Sequence, residues 1–395
     1  MSEPRNILGL GEKVALVLLG MSALLNMYST QPILEDVARW ADTDIRGATW
    51  TVSATTIGVA LTAPWAGMIS DRWGRRRVIL AALLCMAALS LGGLLAWNLP
   101  MLLTLRAAQG MCCPFIFAVV VAYVGEEYAA PVAARLNALY VAGTALGGFL
   151  GRMVAAVIVE ATGQWRLSFL GNAVLIAVAW AVARGFLPQE RRFGGNRRQP
   201  VDADGETTAL YRNPRLLATI LLGATLLFQQ VASFTFASLT LTQPPFSLST
   251  GAVGLIFVIF LVPMISTPLS GRLMQRWGNL RVFVLSQTVS AAGMAISLIP
   301  TLPAMTVGLM LSCVGVFAGQ AVGTAMAGRL APHARSTAVG WYLSGYYLGG
   351  ALGAVAPVGL YLAHGWNAVA VLLVLVVGWG LALGTWAWRG QGVRG

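Results

Sequence analysis

Beyond Glu206 the sequence has no aspartate or glutamate; all 14 acidic residues lie in its first 206 positions, out of 395. Lysine occurs once, as Lys13, and histidine twice, as His333 and His364. Charged residues of every kind make up 10% of the chain, against about a quarter in a soluble domain. That scarcity excludes a water-soluble enzyme. The four cysteines, Cys85, Cys112, Cys113 and Cys313, form no CxxC pair, so neither a thiol redox centre nor a zinc site is read from them. HExxH, GxSxG and GxxxxGK[ST] are missing too, which removes zinc proteases, serine hydrolases and nucleotide-driven pumps. No cofactor, no metal and no enzymatic activity are expected.

What is present is apolar length. Hydrophobic residues make up 57% of the chain and the mean hydropathy is +0.74. A helix needs roughly 20 apolar residues to cross about 30 Å of hydrocarbon, and runs such as Val78–Trp97 and Val369–Trp388 meet that length. Nothing alternates with the period of an outer-membrane barrel strand. Twelve spans are expected, at 14–36, 48–70, 78–97, 99–124, 133–159, 166–187, 215–241, 250–271, 281–299, 303–326, 336–362 and 366–388. The first is too long, and lacks the small-residue cleavage site, for a removable signal peptide. The formal charge of +12 sits beside apolar runs, so it is read as a topology signal and not as a nucleic-acid surface.

The polar, Gly- and Pro-containing stretch 188–214 divides the chain into halves of six spans, 1–187 and 215–395. An even span number puts both termini on one side. With that side cytoplasmic, every Lys and Arg except Arg39, Arg46, Arg106, Arg152 and Arg166 falls in a cytoplasmic segment, as the positive-inside bias requires. The halves also repeat. Pro64-x-x-Gly67-x-x-x-Asp71-Arg72-Trp73-Gly74-x-x-Arg77 recurs as Pro268-x-x-Gly271-x-x-x-Gln275-Arg276-Trp277-Gly278-x-x-Arg281. Gly143, Gly147, Gly148 and Gly151 recur as Gly345, Gly349, Gly350 and Gly353, with Trp165 and Trp366 following in equivalent places. Such spacing implies parallel six-helix repeats about an axis along the membrane normal.

On these residues the chain resembles a major facilitator superfamily transporter over about 14–388. Gly67 to Arg77 is similar to the superfamily's signature loop between helices 2 and 3, and Arg106-Ala-Ala-Gln109-Gly110 to its helix-4 motif. The Gly-rich fifth span resembles the exporter motif of drug/proton antiporters, with Gly148 where a proline is usual and Arg152 where a glycine is usual. Tyr28-Ser-Thr-Gln31-Pro32 resembles bacterial inner-membrane exporters of the acriflavine-sensitivity and sugar-efflux types. The resemblance implies an all-α, twelve-helix membrane protein in two six-helix bundles, in the bacterial inner membrane. It would be a monomeric secondary transporter that moves a small organic solute, amphipathic or anionic, by alternating access. Proton-coupled efflux is one reading; import or facilitated passage of a small organic anion is the other.

Three groups of residues are candidates for that work. Gly67, Asp71, Arg72, Gly74, Arg75, Arg76 and Arg77, with Glu126 and Glu127 at the end of span 4, form a charge cluster. It is read as a latch between the halves, with the glycines giving close helix approach and a tight turn. Arg106 and Arg152 lie roughly 10 and 12 Å inside their helices at about 1.5 Å per residue, and a buried arginine needs a partner or a cavity. With Gln109 they join Asn26, Thr30, Gln31, Gln229, Gln230, Gln320 and Tyr346 as expected cavity residues. Aromatic Phe115, Phe234, Phe236 and Trp341 would suit an amphipathic ligand. Because the second half has no acid, any proton-carrying carboxylate must lie in the first, and Glu35 and Asp36 are the candidates. The two glycine stripes are read as faces packed against the opposite half.

Overall fold

The computed structural model describes residues 9–190, 212–332 and 335–389. Most of the expected linker, 191–211, and the chain ends lie outside the described residues. Twelve helical runs are described. They are α1 (Leu10–Trp40), α2 (Ile45–Thr62 continued by Ala66–Trp73), α3 (Arg75–Leu94), α4 (Leu99–Glu127), α5 (Ala130–Thr162), α6 (Leu167–Phe186), α7 (Pro214–Thr242), α8 (Thr250–Trp277), α9 (Asn279–Ile296), α10 (Leu302–Leu330), α11 (Arg335–Val355) and α12 (Val358–Trp388). Among the described residues nine are long and apolar enough to cross a membrane, ten with the bent pair α2. The less apolar α9 and α11 carry Ser286, Gln287 and Ser290, and Tyr342, Tyr346 and Tyr347, all buried. A helix that faces protein can hold such groups where one facing lipid cannot.

Proline explains most of the breaks. Pro32 has no N–H for the Tyr28 carbonyl, which accepts instead from Gln31 as α1 passes through the 3₁₀ turn Gln31–Ile33. Pro114 likewise interrupts α4, and the Gly110 carbonyl takes the Cys113 N–H. At Pro64 the two parts of α2 meet at 61°. The expected eleventh span, 336–362, overran a boundary: α11 ends at Val355, Pro357 begins the next run, and the last helix kinks at Gly365 with φ 68°. At the α2–α3 turn Gly74 has φ 93°, a conformation that side chains resist. The turn's end of the molecule is called the Gly74 end below, and the opposite one the Glu35 end.

The main packing pairs in the first six helices recur six helices later: α1–α5 as α7–α11, α2–α4 as α8–α10, α3–α6 as α9–α12. Between the halves the main contacts are α2 with α11 and α5 with α8, each the other's counterpart under the repeat. The glycine stripes do not face the opposite half as expected. Cβ atoms on Gly143, Gly147 and Gly151 would fall 2.1 Å from the carbonyl oxygens of Val17, Met21 and Leu25 in α1. Gly349 and Gly353 meet Ala224 and Phe228 of α7 in the same way, at 2.0 and 2.4 Å. The stripes bind each half to itself, because backbone approach is the main packing gain available within lipid. Gly67 is a second correction: a Cβ there meets nothing within 4 Å, so no helix approaches it closely. We expect Gly147→Val to abolish recovery of monodisperse protein, and Gly67→Ala to leave yield and thermal unfolding unchanged. Equal recovery of both variants by size-exclusion chromatography would contradict this account.

Candidate functional site

Two buried arginines organise the interior, in different ways. Because α1 is broken, the carbonyls of Asn26 and Met27 lose their helical partners, and Arg106 of α4 supplies them. Its Nη1 donates to Asn26 O at 2.9 Å and Gln109 Oε1 at 2.8 Å, its Nη2 to Met27 O at 2.7 Å, and its Nε to Thr51 O of α2 at 3.2 Å. A cation also suits the negative end of a helix segment. Gln109 completes the group by donating to Ser90 of α3 at 3.2 Å. Arg106, Gln109 and Asn26, expected on a cavity wall, are instead a fully buried clamp tying α1, α2, α3 and α4.

The second half has the same cluster without the charge. Gln229 of α7 donates to Ser290 of α9 at 2.6 Å and to Ser312 of α10 at 3.0 Å. No arginine is required there, since α7 runs unbroken from Pro214 to Thr242. Gln229 is therefore also a packing group.

Arg152 of α5 sits nearer the interface between the halves. Its Nε donates to Gln31 Oε1 at 2.7 Å, and its Nη1 bonds the Gly148 carbonyl one turn back. Gln31 in turn donates to Thr235 of α7 at 2.9 Å, which joins the halves. The guanidinium lies over three rings: Phe260 at 4.2 Å, Tyr28 at 4.6 Å and Phe257 at 5.0 Å. Phe257 and Phe260 come from the 3₁₀ segment of α8, where residues three apart share one face. Phe234 packs against Phe260 at 4.6 Å with the rings tilted by 52°, and Phe317 meets it edge-on at 6.3 Å. Among the described residues no carboxylate pairs with Arg152, which is buried. Each desolvated cation–π contact is worth about 2 kcal/mol, so three offset a burial cost of about 3 kcal/mol. The charge can persist there with its strongest partner missing.

Other expected cavity residues lie on α1, α7, α10 and α11. Thr30 Oγ1 and Gln230 Oε1 are buried with no hydrogen-bond partner. Tyr346 is buried between Tyr342 and Tyr347, and Tyr347 stacks on Phe117 of the first half at 5.6 Å. Gln320 is half-buried on α10. The expected aromatics scatter: Phe234 belongs to the ring, Phe236 packs on Tyr361, and Phe115 lines an outer groove. Phe257, Phe260 and Phe317 were missed in sequence, where they read as ordinary apolar positions. Only their spacing of three after a glycine-containing turn marks the first two.

The carboxylates separate by partner. Glu35 accepts from Thr242 at 3.0 Å and from Gln243 at 3.1 Å, both on the other half. Asp36 is held by Arg39 of its own helix at 2.6 Å. Glu160 accepts from Ser249 at 3.0 Å and from the Gly251 N–H, again across the halves. At the Gly74 end Arg75 forks onto Glu126 at 2.5 and 2.6 Å and holds Asp71 at 2.8 Å. Arg76 bonds the carbonyls of Arg184 and Leu187 and, through its N–H, Glu190. Glu127 is buried, whereas Arg72 and Arg77 are exposed and outside the cluster. These pairs join α2, α3, α4 and α6, so the cluster expected to latch the halves here braces the first half.

A bundle of apolar helices in two repeated sets, meeting around a caged charge, defines a membrane transporter. The family model of the Major Facilitator Superfamily matches residues 16–251 and 221–392, and the chain belongs to that superfamily. It is 27% identical over 330 residues to the MFS-type transporter YybF of Bacillus subtilis, covering 84% of this chain and 81% of that one. To the inner membrane transport protein YnfM of Escherichia coli it is 25% identical over 372 residues, covering 94% and 89%. Its fold is that of a bacterial homologue of the human lysosomal transporter Spinster, solved inward-facing and unoccupied, with a TM-score of 0.74 at 14% identity over 96% of each chain. The protein is thus a multi-pass membrane transporter of a small molecule, and not an enzyme.

If Arg106 is a clamp, Arg106→Lys should lower thermal stability, since one ammonium cannot serve four acceptors on three helices. The expected loss is on the order of 3 kcal/mol, against little change for Arg152→Lys. Unfolding followed by tryptophan fluorescence in detergent checks both, and an unaltered Arg106→Lys would refute the clamp.

Proposed function

We propose that this transporter exports a small organic solute, amphipathic or anionic, from the bacterial cytoplasm in exchange for protons. The observation that carries the proposal is the Arg152 guanidinium, buried among Tyr28, Phe257 and Phe260 from both halves with no carboxylate beside it. A site that pairs an unspent cation with aromatic walls favours a flat molecule bearing a negative or strongly polar group. The unpartnered oxygens of Thr30 and Gln230 add hydrogen-bonding capacity close by, and Gln31, Gln320 and Tyr346 complete the substrate surface.

In this reading 1–187 and 215–395 are rigid bundles joined by a cytoplasmic linker, 188–214. Both termini are cytoplasmic, and the protein works as a monomer. The bundles rock about the Gln31–Thr235 contact. At the Glu35 end, taken as periplasmic, Glu35 and Glu160 hold the halves together. Protonating Glu35 removes a charged acceptor from that seam, which would couple its opening to a proton. Asp36, engaged with Arg39, is the weaker of the two candidates. At the other end Asp71, Arg75, Arg76 and Glu126, which brace the first half here, change partners to latch the halves when the cytoplasmic side closes.

The same unpaired guanidinium favours a second reading, import or facilitated passage of a small organic anion. Counterflow in proteoliposomes against organic acids, sugars and cationic dyes, with and without a pH gradient, separates the two. We expect Arg152→Gln to weaken anionic substrates about tenfold more than cationic ones, the worth of one charge-assisted hydrogen bond; equal losses would remove the anion site. Glu35→Gln should abolish the response to a pH gradient while leaving exchange at equal pH, and an intact response would place coupling elsewhere. Asp71→Asn should slow transport without loss of expression, and an unchanged rate would count against the latch.

A further inference from the structure

Arg72 and Arg77 are left over from the ion-pair cluster, and both stand at one place: the mouth of a groove between α2, α3 and α4. The groove has a volume of about 620 Å³ and is lined below the arginines by Trp73, Ala81, Cys85 and Phe115, among others. It opens at the bundle surface, where Arg72, Trp73, Arg77 and Cys85 are exposed. The neighbouring acids do not neutralise the mouth, because Asp71 and Glu126 are both taken by Arg75.

We infer that this groove binds an anionic phospholipid, with its phosphate between Arg72 and Arg77 and one acyl chain along the floor. Length fits the assignment. From Arg77 to Cys85 is eight residues of helix, roughly 12 Å at 1.5 Å per residue, within the roughly 15 Å of one leaflet's hydrocarbon. Charge fits as well: two guanidinium groups with free donors match a phosphate, and a basic residue near a bilayer surface favours anionic lipid over zwitterionic. At this depth a surface groove meets only lipid, and its walls offer an apolar chain rather than partners for a polar solute. The inference needs only that this face lies in a membrane; it does not depend on the substrate or on proton coupling. A lipid so placed touches the turn that carries Arg75, next to the charge cluster.

The test uses the full chain in nanodiscs containing a trace of phosphatidylglycerol with a diazirine in its acyl chain, photolysed, digested and mapped by mass spectrometry. Adducts are expected on the peptides holding Ala81–Cys85 and Cys112–Phe115. Unlabelled phosphatidylglycerol should compete for them, while phosphatidylcholine of the same chain length and inorganic phosphate should not. Arg72→Gln combined with Arg77→Gln should reduce the adducts about tenfold. Ala81→Trp, which fills the groove from an exposed position and keeps both arginines, should remove them even if the double variant is recovered poorly. Adducts spread evenly over the helices, adducts indifferent to both variants, or equal competition by phosphatidylcholine would overturn the assignment.

Discussion

The break in α1 at Tyr28–Thr30 is the feature from which most of the interior follows. The turn leaves the carbonyls of Asn26 and Met27 without helical donors in a medium that offers no water, and such groups must be paired inside the protein. Arg106 pairs them, and in doing so fixes α4 against α1 and α2. The same break turns Tyr28 and Gln31 toward Arg152, where Gln31 reaches Thr235 of the other half. One broken helix thus links the stability of the first bundle to the geometry of the central site.

The two halves answer one packing problem with different chemistry. Their helices pair in the same order, and the α1–α3–α4 polar cluster has its counterpart in α7, α9 and α10. The first half uses a charged arginine and the second only Gln229, Ser290 and Ser312. The difference tracks Pro32, which has Phe236 in the corresponding stretch of an unbroken α7. Charge has been kept in the half that needs it to close a helix, and the other half has shed acids altogether.

Much of the fold was legible in the sequence because lipid imposes a simple rule on helix length and composition. Most of the described runs follow from apolar length, and the repeat from Pro64, Gly74 and their counterparts Pro268 and Gly278. The site was legible in part. Arg106 and Arg152 stand out as charges within spans, yet their sequence neighbourhoods are alike, and only the arrangement in space separates a carbonyl clamp from a caged cation. Phe257 and Phe260 could not be told from lipid-facing residues, because their role depends on a 3₁₀ segment packed against α5. The glycine stripes were visible and their partner was not: a small-residue face shows that a backbone comes close without showing whose.

The seam at the Glu35 end has a further property. Its acceptors, Glu35 and Glu160, are charged, but its donors are a threonine, a glutamine, a serine and a backbone amide. Attraction between opposite charges at a surface is weakened by dissolved ions. A closure between a charge and neutral dipoles has far less for those ions to screen. The first half therefore grips a partner with no countercharge, and the closure should hold nearly the same strength in dilute and in concentrated salt.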